Sequence, residues 1–379
     1  VFRHRPAQAC TTAKERLVRP LPAQPRRIIL LNPTRFLGNL LIAGGLIQDF
    51  AAQCRAQGQQ FRLVVDAAFA GLLQGAFPAE ELILYPRREL TNSGPLGKTA
   101  LYLRCLRQIR QFRADLAFNI EDDSVAHRLT QLSGAGYRLG CSPARHRHGY
   151  EQVLPISFSQ RPAGEEHRWH AFQEVFLALG LPRREPQYLR LHPAPLNEAA
   201  RARLQRCGVD FSRPLALLHP GATKSYKLWP DAHFAALAQA LVVHDYQVLL
   251  LGAGGDAQHA EAILAQLPAA LQGQVVSICN QLSLAELASF LPQASLMAGN
   301  DSGPFHMAAA LGLRAVVIFG PTEARLWGPI APQAQLLQDR SVCRPDCSRH
   351  HCSQGYRCLS QISPQQVLQA LLRSRGQVS

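Results

Sequence analysis

Short apolar runs, each followed by a segment of helical period, occur in two successive series along this chain, and that grammar limits the folds open to it. Arg27 to Asn32 (RIILLN), Phe61 to Val65, Leu82 to Leu84, Leu116 to Ile120 and Tyr137 to Gly140 read as strands. The pattern restarts at Leu215 to His219, Gln247 to Leu251, Val275 to Ile278, Ser295 to Ala298 and Ala315 to Phe319. Runs this short and continuously apolar, separated by helices, belong to parallel sheets covered on both faces. An amphipathic helix from about Asn39 to Gln57 follows the first. Each half is therefore expected to be a doubly wound α/β domain. A chain of 379 residues is also longer than one hydrophobic core comfortably serves.

The prolines at 182, 186, 193, 195 and 214 mark the junction. The expected division is a basic extension over 1–25, an N-terminal domain over 26–185, a linker over 186–213, a C-terminal domain over 214–362 and a last helix over 363–379. The extension has no apolar core of signal-peptide type, and no run approaches the roughly 18 residues of a membrane span, so the reading is cytoplasmic.

Charge is uneven. The net charge is +14, and residues 1–190 hold 26 Lys and Arg against 15 Asp and Glu. A basic half suits an anionic glycolipid or membrane surface, although a solvated face gives the same count. Arg104, Arg107 and Arg110 recur every third residue along one helix and are the candidate acceptor-side cations. The stretch 143–162, with Arg145, His146, Arg147 and His148, reads as a loop on the same side.

Three loops of the second half carry the chemistry. In His219-Pro-Gly-Ala-Thr-Lys-Ser-Tyr-Lys-Leu-Trp-Pro230, Gly221 permits a tight turn. Thr223, Lys224 and Lys227 of that loop offer a hydroxyl and cations to phosphate oxygens. In Gly252-Ala-Gly-Gly-Asp256 the acid is placed to meet ribose hydroxyls. In Gly299-Asn-Asp-Ser-Gly-Pro-Phe-His306, Asp301 and Ser302 stand at a helix N-terminus, where free N–H groups attract phosphate. Taken singly, each loop is also a plain strand-to-helix connection.

Together with Lys227-Leu-Trp-Pro and Phe319-Gly-Pro-Thr322, these strings resemble the bacterial heptosyltransferases, from about Arg27 onward. The resemblance implies a GT-B fold, two Rossmann-like domains facing across a cleft. It implies transfer of a heptose from ADP-heptose to a hydroxyl of lipopolysaccharide core, with inversion and without a catalytic metal. Thr223 and Lys227 would hold the donor phosphates and Asp256 would take the ribose-binding position. Asp301, Ser302, Gly303 and His306 would line the diphosphate and sugar. No nucleic-acid partner is implied, and the enzyme would sit in the cytoplasm, peripheral to the inner membrane face.

Two departures follow. The family carries an Asp as base where this chain has Asn39, and an amide takes no proton. Glu121, Asp122 and Asp123, at the end of a predicted strand, are the replacement acids, with Asp122 and Asp123 put forward and Asn39 as an acceptor-orienting group. A protein acceptor, or a nucleotide-sugar-binding scaffold without turnover, are the alternatives. The second departure is Cys343, Cys347, Cys352 and Cys358, interleaved with His350 and His351. Four close thiols suit a structural Zn or Fe ion, with free thiols or disulfides as the other readings.

Overall fold

The computed structural model describes residues 20–121, 123–141, 149–154, 156, 163–271, 273–344, 347 and 351–373. Most of the 1–25 extension, Asp122, His350 and most of the 143–162 loop lie outside the described residues.

The N-terminal sheet contains β1 (Arg27–Leu31), β2 (Gln60–Asp66), β3 (Leu82–Tyr85), β4 (Leu116–Phe118), β5 (Tyr137–Gly140) and β6 (Gln152–Val153). The C-terminal sheet contains β7 (Leu215–His219), β8 (Gln247–Leu250), β9 (Val275–Ser277), β10 (Leu296–Asn300), β11 (Ala315–Phe319) and β12 (Ala334–Gln338). Every pairing is parallel. The orders are β3-β2-β1-β4-β5-β6 and β12-β11-β10-β7-β8-β9. Counted from its own first strand, each sheet has the order 3-2-1-4-5-6, the doubly wound arrangement that the alternating pattern implied.

Helices of the first half are α1 (Leu37–Ala56), α2 (Ala70–Leu73), α3 (Arg87–Asn92), α4 (Pro95–Gln111), α5 (Ser124–Leu132) and α6 (Arg168–Ala178). In the second half come α7 (Glu198–Arg206), α8 (Asp231–Val243), α9 (Ala257–Leu264), α10 (Leu284–Phe290) and α11 (Gly303–Ala310). The chain ends with α12 (Ala324–Trp327), α13 (Arg357–Ser360) and α14 (Pro364–Arg373). The central strands are buried on both faces, with β1, β7, β10 and β11 almost wholly enclosed.

The segment between the sheets is not slack. Leu189 N–H donates to the Leu41 carbonyl at 2.8 Å, and Gln48 pairs with both backbone groups of Arg190. Asp49 receives Arg184 and Arg190 at 3.2 and 2.9 Å. The chain is thereby strapped to α1, and then forms α7, capped by Asn197 and tied to the C-terminal domain by Arg203–Glu286 at 2.7 Å. At the far end α14 buries Val367, Leu368 and Leu371, with α8 its main partner. Trp229, in the loop after β7, donates its indole N–H to the Ile362 carbonyl.

Candidate active site

In an open parallel sheet the crevice opens where the strand order reverses, outside the carboxyl ends of the two strands concerned. Here these points are β1/β4 in one sheet and β7/β10 in the other. The residues after β1 and β4 include Asn39 and Glu121, and those after β7 and β10 carry the HPGA and NDSGPFH strings. The topology thus collects four separated motifs into two facing crevices.

Asn39 lies in the first turn of α1, where its amide Nδ2 donates to Glu121 Oε2 at 3.2 Å. The other oxygen, Oε1, is buried without a hydrogen-bond partner. Burial pushes the Glu121 carboxyl up to about 7, and the Asn39 hydrogen bond opposes that rise only in part. A pocket of about 210 Å³ opens beside it, walled by Thr34, Arg35, Phe36, Arg168 and Phe172, with Trp327 closing it from the other domain. The Arg168 guanidinium stacks 5.0 Å from the Trp327 ring centroid.

Asp123 also faces this pocket, but one of its oxygens accepts from Val125 N–H and Ala126 N–H at 3.1 and 3.0 Å. It caps α5. Of the two described acids here, Glu121 is the one bonded to Asn39, 82 positions earlier in the chain.

On the donor side, Lys227 Nζ donates to Asp301 Oδ2 at 2.6 Å. Asn300 is fully buried and holds two loops together, accepting from Trp229 N–H and donating to the Pro220 carbonyl. His219 is held neutral by burial, with Ser302 Oγ 3.2 Å from its Nδ1 and Asp256 Oδ2 3.8 Å from its Nε2. Gly221 is required here, since a Cβ would sit 2.1 Å from the Asp256 carboxyl carbon. Asp256 also accepts from Ala253 N–H. Thr223 and Lys224 are exposed on the loop.

The Ser302 hydroxyl lies beside His219 and provides no side-chain cap, so Gly303 and Phe305, on either side of Pro304, carry the uncapped N–H groups of α11. Downstream, the hydroxyl of Thr322 is buried without a hydrogen-bond partner at the end of β11.

The two sides touch. A Cβ on Gly38 would lie 2.9 Å from the His306 ring, and one on Gly303 would lie 2.8 Å from Leu37 Cβ. His306 is buried, which depresses its pKa to about 4 and leaves the ring neutral. Tyr188 donates its hydroxyl to His306 Nδ1 at 2.9 Å and accepts from Ile330 N–H. Burial drives the phenol pKa upward, so the donor proton is retained. His167 forms a second bridge: Nδ1 accepts from Trp169 N–H, leaving Nε2 to donate to the Gly328 carbonyl at 3.0 Å.

Tyr188, Arg168 and Trp327 were not foreseen from sequence. None lies in a glycine-rich or strand-end string, and only the domain contact brings them in.

Arg104, Arg107 and Arg110 lie on α4, which packs on β3, and none of them lines the pocket beside Glu121. Arg110 donates to the Leu132 carbonyl. Between α4 and β3 runs a groove of about 900 Å³ lined in part by Arg62, Leu84, Arg104 and Phe112.

The four C-terminal thiols approach in pairs. Cys347 and Cys352 sulfurs are 4.0 Å apart, and Cys343 and Cys358 share a hydrogen bond. Arg344 N–H and Tyr356 N–H point at the Cys347 and Cys352 sulfurs at 3.3 and 3.2 Å. Among the described residues no three His, Cys, Asp or Glu groups converge as a closed metal shell.

Comparison with known proteins agrees with this arrangement. The chain is 25% identical over 295 residues to lipopolysaccharide heptosyltransferase 2 of Escherichia coli K12, covering 73% of this chain and 81% of that protein. It is 32% identical over 172 residues to the Salmonella typhimurium protein of the same name, covering 43% and 48%. It is 29% identical over 152 residues to lipooligosaccharide heptosyltransferase 2 of Haemophilus influenzae, covering 40% and 44%. The chain thus spans about half the length of two of these relatives.

Among solved structures, E. coli ADP-heptose lipopolysaccharide heptosyltransferase II superposes with a TM-score of 0.69 at 20% identity, covering 93% of this chain and 100% of that one. The family 9 glycosyltransferase of Veillonella parvula gives 0.74 at 18%, covering 92% and 97%. The iron-containing dodecameric glycosyltransferase TibC of enterotoxigenic E. coli gives 0.50 at 14%, covering 94% and 80%. These likenesses establish the fold as GT-B. The family model of glycosyltransferase family 9 (heptosyltransferase) matches residues 102–357, which include Glu121 and the loops after β7, β8 and β10, and the chain belongs to that family.

Proposed function

We propose that this chain transfers a heptose from an ADP-activated donor to a hydroxyl of a lipopolysaccharide core acceptor, with inversion, and that Glu121 is the general base. The observation that carries the reading is a buried carboxyl at the crevice of β1 and β4, held by Asn39 with Thr34 beside it, whose pKa burial pushes up to about 7. A base poised near the working pH is the most effective one. An acceptor hydroxyl bonded to Oε1 would lose its proton to Glu121 as it attacks the anomeric carbon. Asn39 holds the second oxygen and so fixes the carboxylate plane. Arg168 and Trp327 shape the acceptor pocket.

The donor diphosphate is assigned to the open N-terminus of α11, with Lys227 exchanging part of its contact with Asp301 for phosphate oxygens. Charge that grows on the leaving group meets donors already in place. Thr223, Lys224, Asp256 and Gly303 complete that side in this reading. The relatives' names supply the heptose and the lipopolysaccharide.

The four thiols are proposed to hold one structural Zn or Fe ion. Backbone N–H groups aimed at Cys347 and Cys352 sulfurs support thiolates there. No step of transfer depends on it. A place on the cytoplasmic face of the membrane fits a lipid-anchored acceptor. No described helix is long and apolar enough to cross a bilayer.

The test is heat stability of the purified chain against ADP, UDP, GDP and CDP, followed by turnover of ADP-heptose. At a hundred times its dissociation constant a ligand specific for the folded state adds about 2.7 kcal/mol. Stabilisation by ADP alone is expected, and stabilisation by none of the four would dismiss the donor site.

A further inference from the structure

The outward face of α4 has a pattern that the transfer reaction does not use. Leu96, Ala100, Leu103, Arg107 and Arg110 follow one another at intervals of four, three, four and three, which places them in one row along the helix. The opposite side, Cys105, Leu106 and Ile109, is the part that α4 buries. Leu96 is 88% exposed and Leu103 56% exposed, each far from the interior its residue type prefers. Arg104 flanks the row, Lys98 stands in the first turn on another side of the helix, and both, like Arg107 within the row, are exposed. The helix contains no acidic residue, and among the described residues none of these three cations is in an ion pair.

We infer that this face of α4 docks the protein on an anionic phospholipid bilayer. A row that is apolar in its first half and basic in its second is what an interfacial helix requires: leucines enter the acyl boundary while arginines meet lipid phosphates. Charge complementarity selects the occupant, since this helix lies in the half of the chain with the larger basic surplus. Position supports the same occupant. Strands β1 to β5 are parallel, so α4, which starts after β3 and the short α3, begins at the end of the sheet where Asn39 and Glu121 stand. Docking through Leu96 would bring that end of the cleft toward lipid headgroups, where a lipid-anchored acceptor presents its sugars. The inference deepens the proposed glycolipid reading, but its test does not depend on turnover.

The experiment is co-sedimentation of the full chain with vesicles of phosphatidylcholine alone and of phosphatidylcholine with phosphatidylglycerol, at low and high salt. Binding to the anionic vesicles alone, weakened by salt, is expected. The pair Arg104→Gln with Arg107→Gln should lower it about fivefold per residue. The pair Leu96→Ser with Leu103→Ser should lower it comparably while leaving the melting temperature and turnover on a deacylated, water-soluble acceptor unchanged. Equal binding of wild type and both variants would overturn the proposal, as would no binding to either vesicle. Binding only when acceptor glycolipid is included would reassign the face to the acceptor itself. A concentration-dependent dimer abolished by the leucine variant would assign it to a second copy of the chain.

Discussion

Asn39 presents its amide to Glu121 at 3.2 Å, across 82 residues of sequence, at the position where heptosyltransferases resembling this chain carry an acid. In the proposed reading the base moves from the helix to the facing strand end, and the amide positions it. Glu121→Gln is expected to lower kcat by about a hundredfold to ten-thousandfold. Its melting temperature at pH 8 should not fall, because the change removes a buried carboxylate. Asp123→Gln should instead lower the melting temperature through loss of the α5 cap, with a smaller effect on kcat. The reverse pattern would return the base to Asp123.

The pH dependence follows from the same group. A carboxyl raised from its ordinary 4.5 to about 7 is protonated below neutrality and unable to act as base there. The rate should rise with pH through about 7 and level above it. The folded-state pKa exceeds the unfolded one, so Glu121 favours the folded state most at low pH, and this advantage declines between about 4.5 and 7. A pH–rate profile that is flat from 5 to 8 would contradict the assignment.

Asn39→Asp would restore the family's acid but place two carboxyls at hydrogen-bond distance. Two such groups cannot both ionise readily, so the pair would titrate in two separated steps. The expected result is a rising limb displaced from that of the wild type, measured as kcat/KM against pH. An unchanged profile would mean that the two residues are not coupled.

Gly38→Ala tests the contact between domains. The added methyl would lie 2.9 Å from a His306 ring that Tyr188 holds in place. Alanine favours a helix interior over glycine by about 1 kcal/mol, which the clash with the buried ring offsets, so the melting temperature should change little or fall. Turnover should fall about tenfold to a hundredfold because the two crevices are pushed apart. Steady-state kinetics and a melting curve on one preparation decide it.

Elemental analysis of the purified chain is expected to find about one Zn or Fe per molecule. Removal by a chelator should lower the melting temperature while leaving turnover at low temperature intact. Metal-free protein of unchanged stability would leave the four cysteines as thiols.

Much of this architecture was legible in the sequence because parallel strands buried on both faces are uninterrupted apolar runs. β5, β7 and β11 coincide with the runs read from sequence, and both crevices follow from loops at strand ends. β6 and β12 were missed for definite reasons. β6 has two residues, and β12 (AQLLQ) is a partly exposed edge strand whose two glutamines interrupt its apolar run. The linker looked structureless because α7 is polar, with only Ala200 and Leu204 buried. Choosing among Glu121, Asp122 and Asp123 was beyond a linear reading, since the choice depends on which acid meets Asn39. Tyr188 was hidden for the same reason: its partners, His306 and Ile330, are both more than a hundred positions away.

The paired contacts of Gly38 with His306 and of Gly303 with Leu37 have a consequence for how such proteins can change. Each domain presents a glycine to a bulky group of the other, so the first turns of α1 and α11 fit like two teeth and two gaps. A side chain gained at one glycine must be matched by volume lost at the residue it faces. Across relatives of this chain, positions 38 and 306, and positions 37 and 303, should therefore vary as couples.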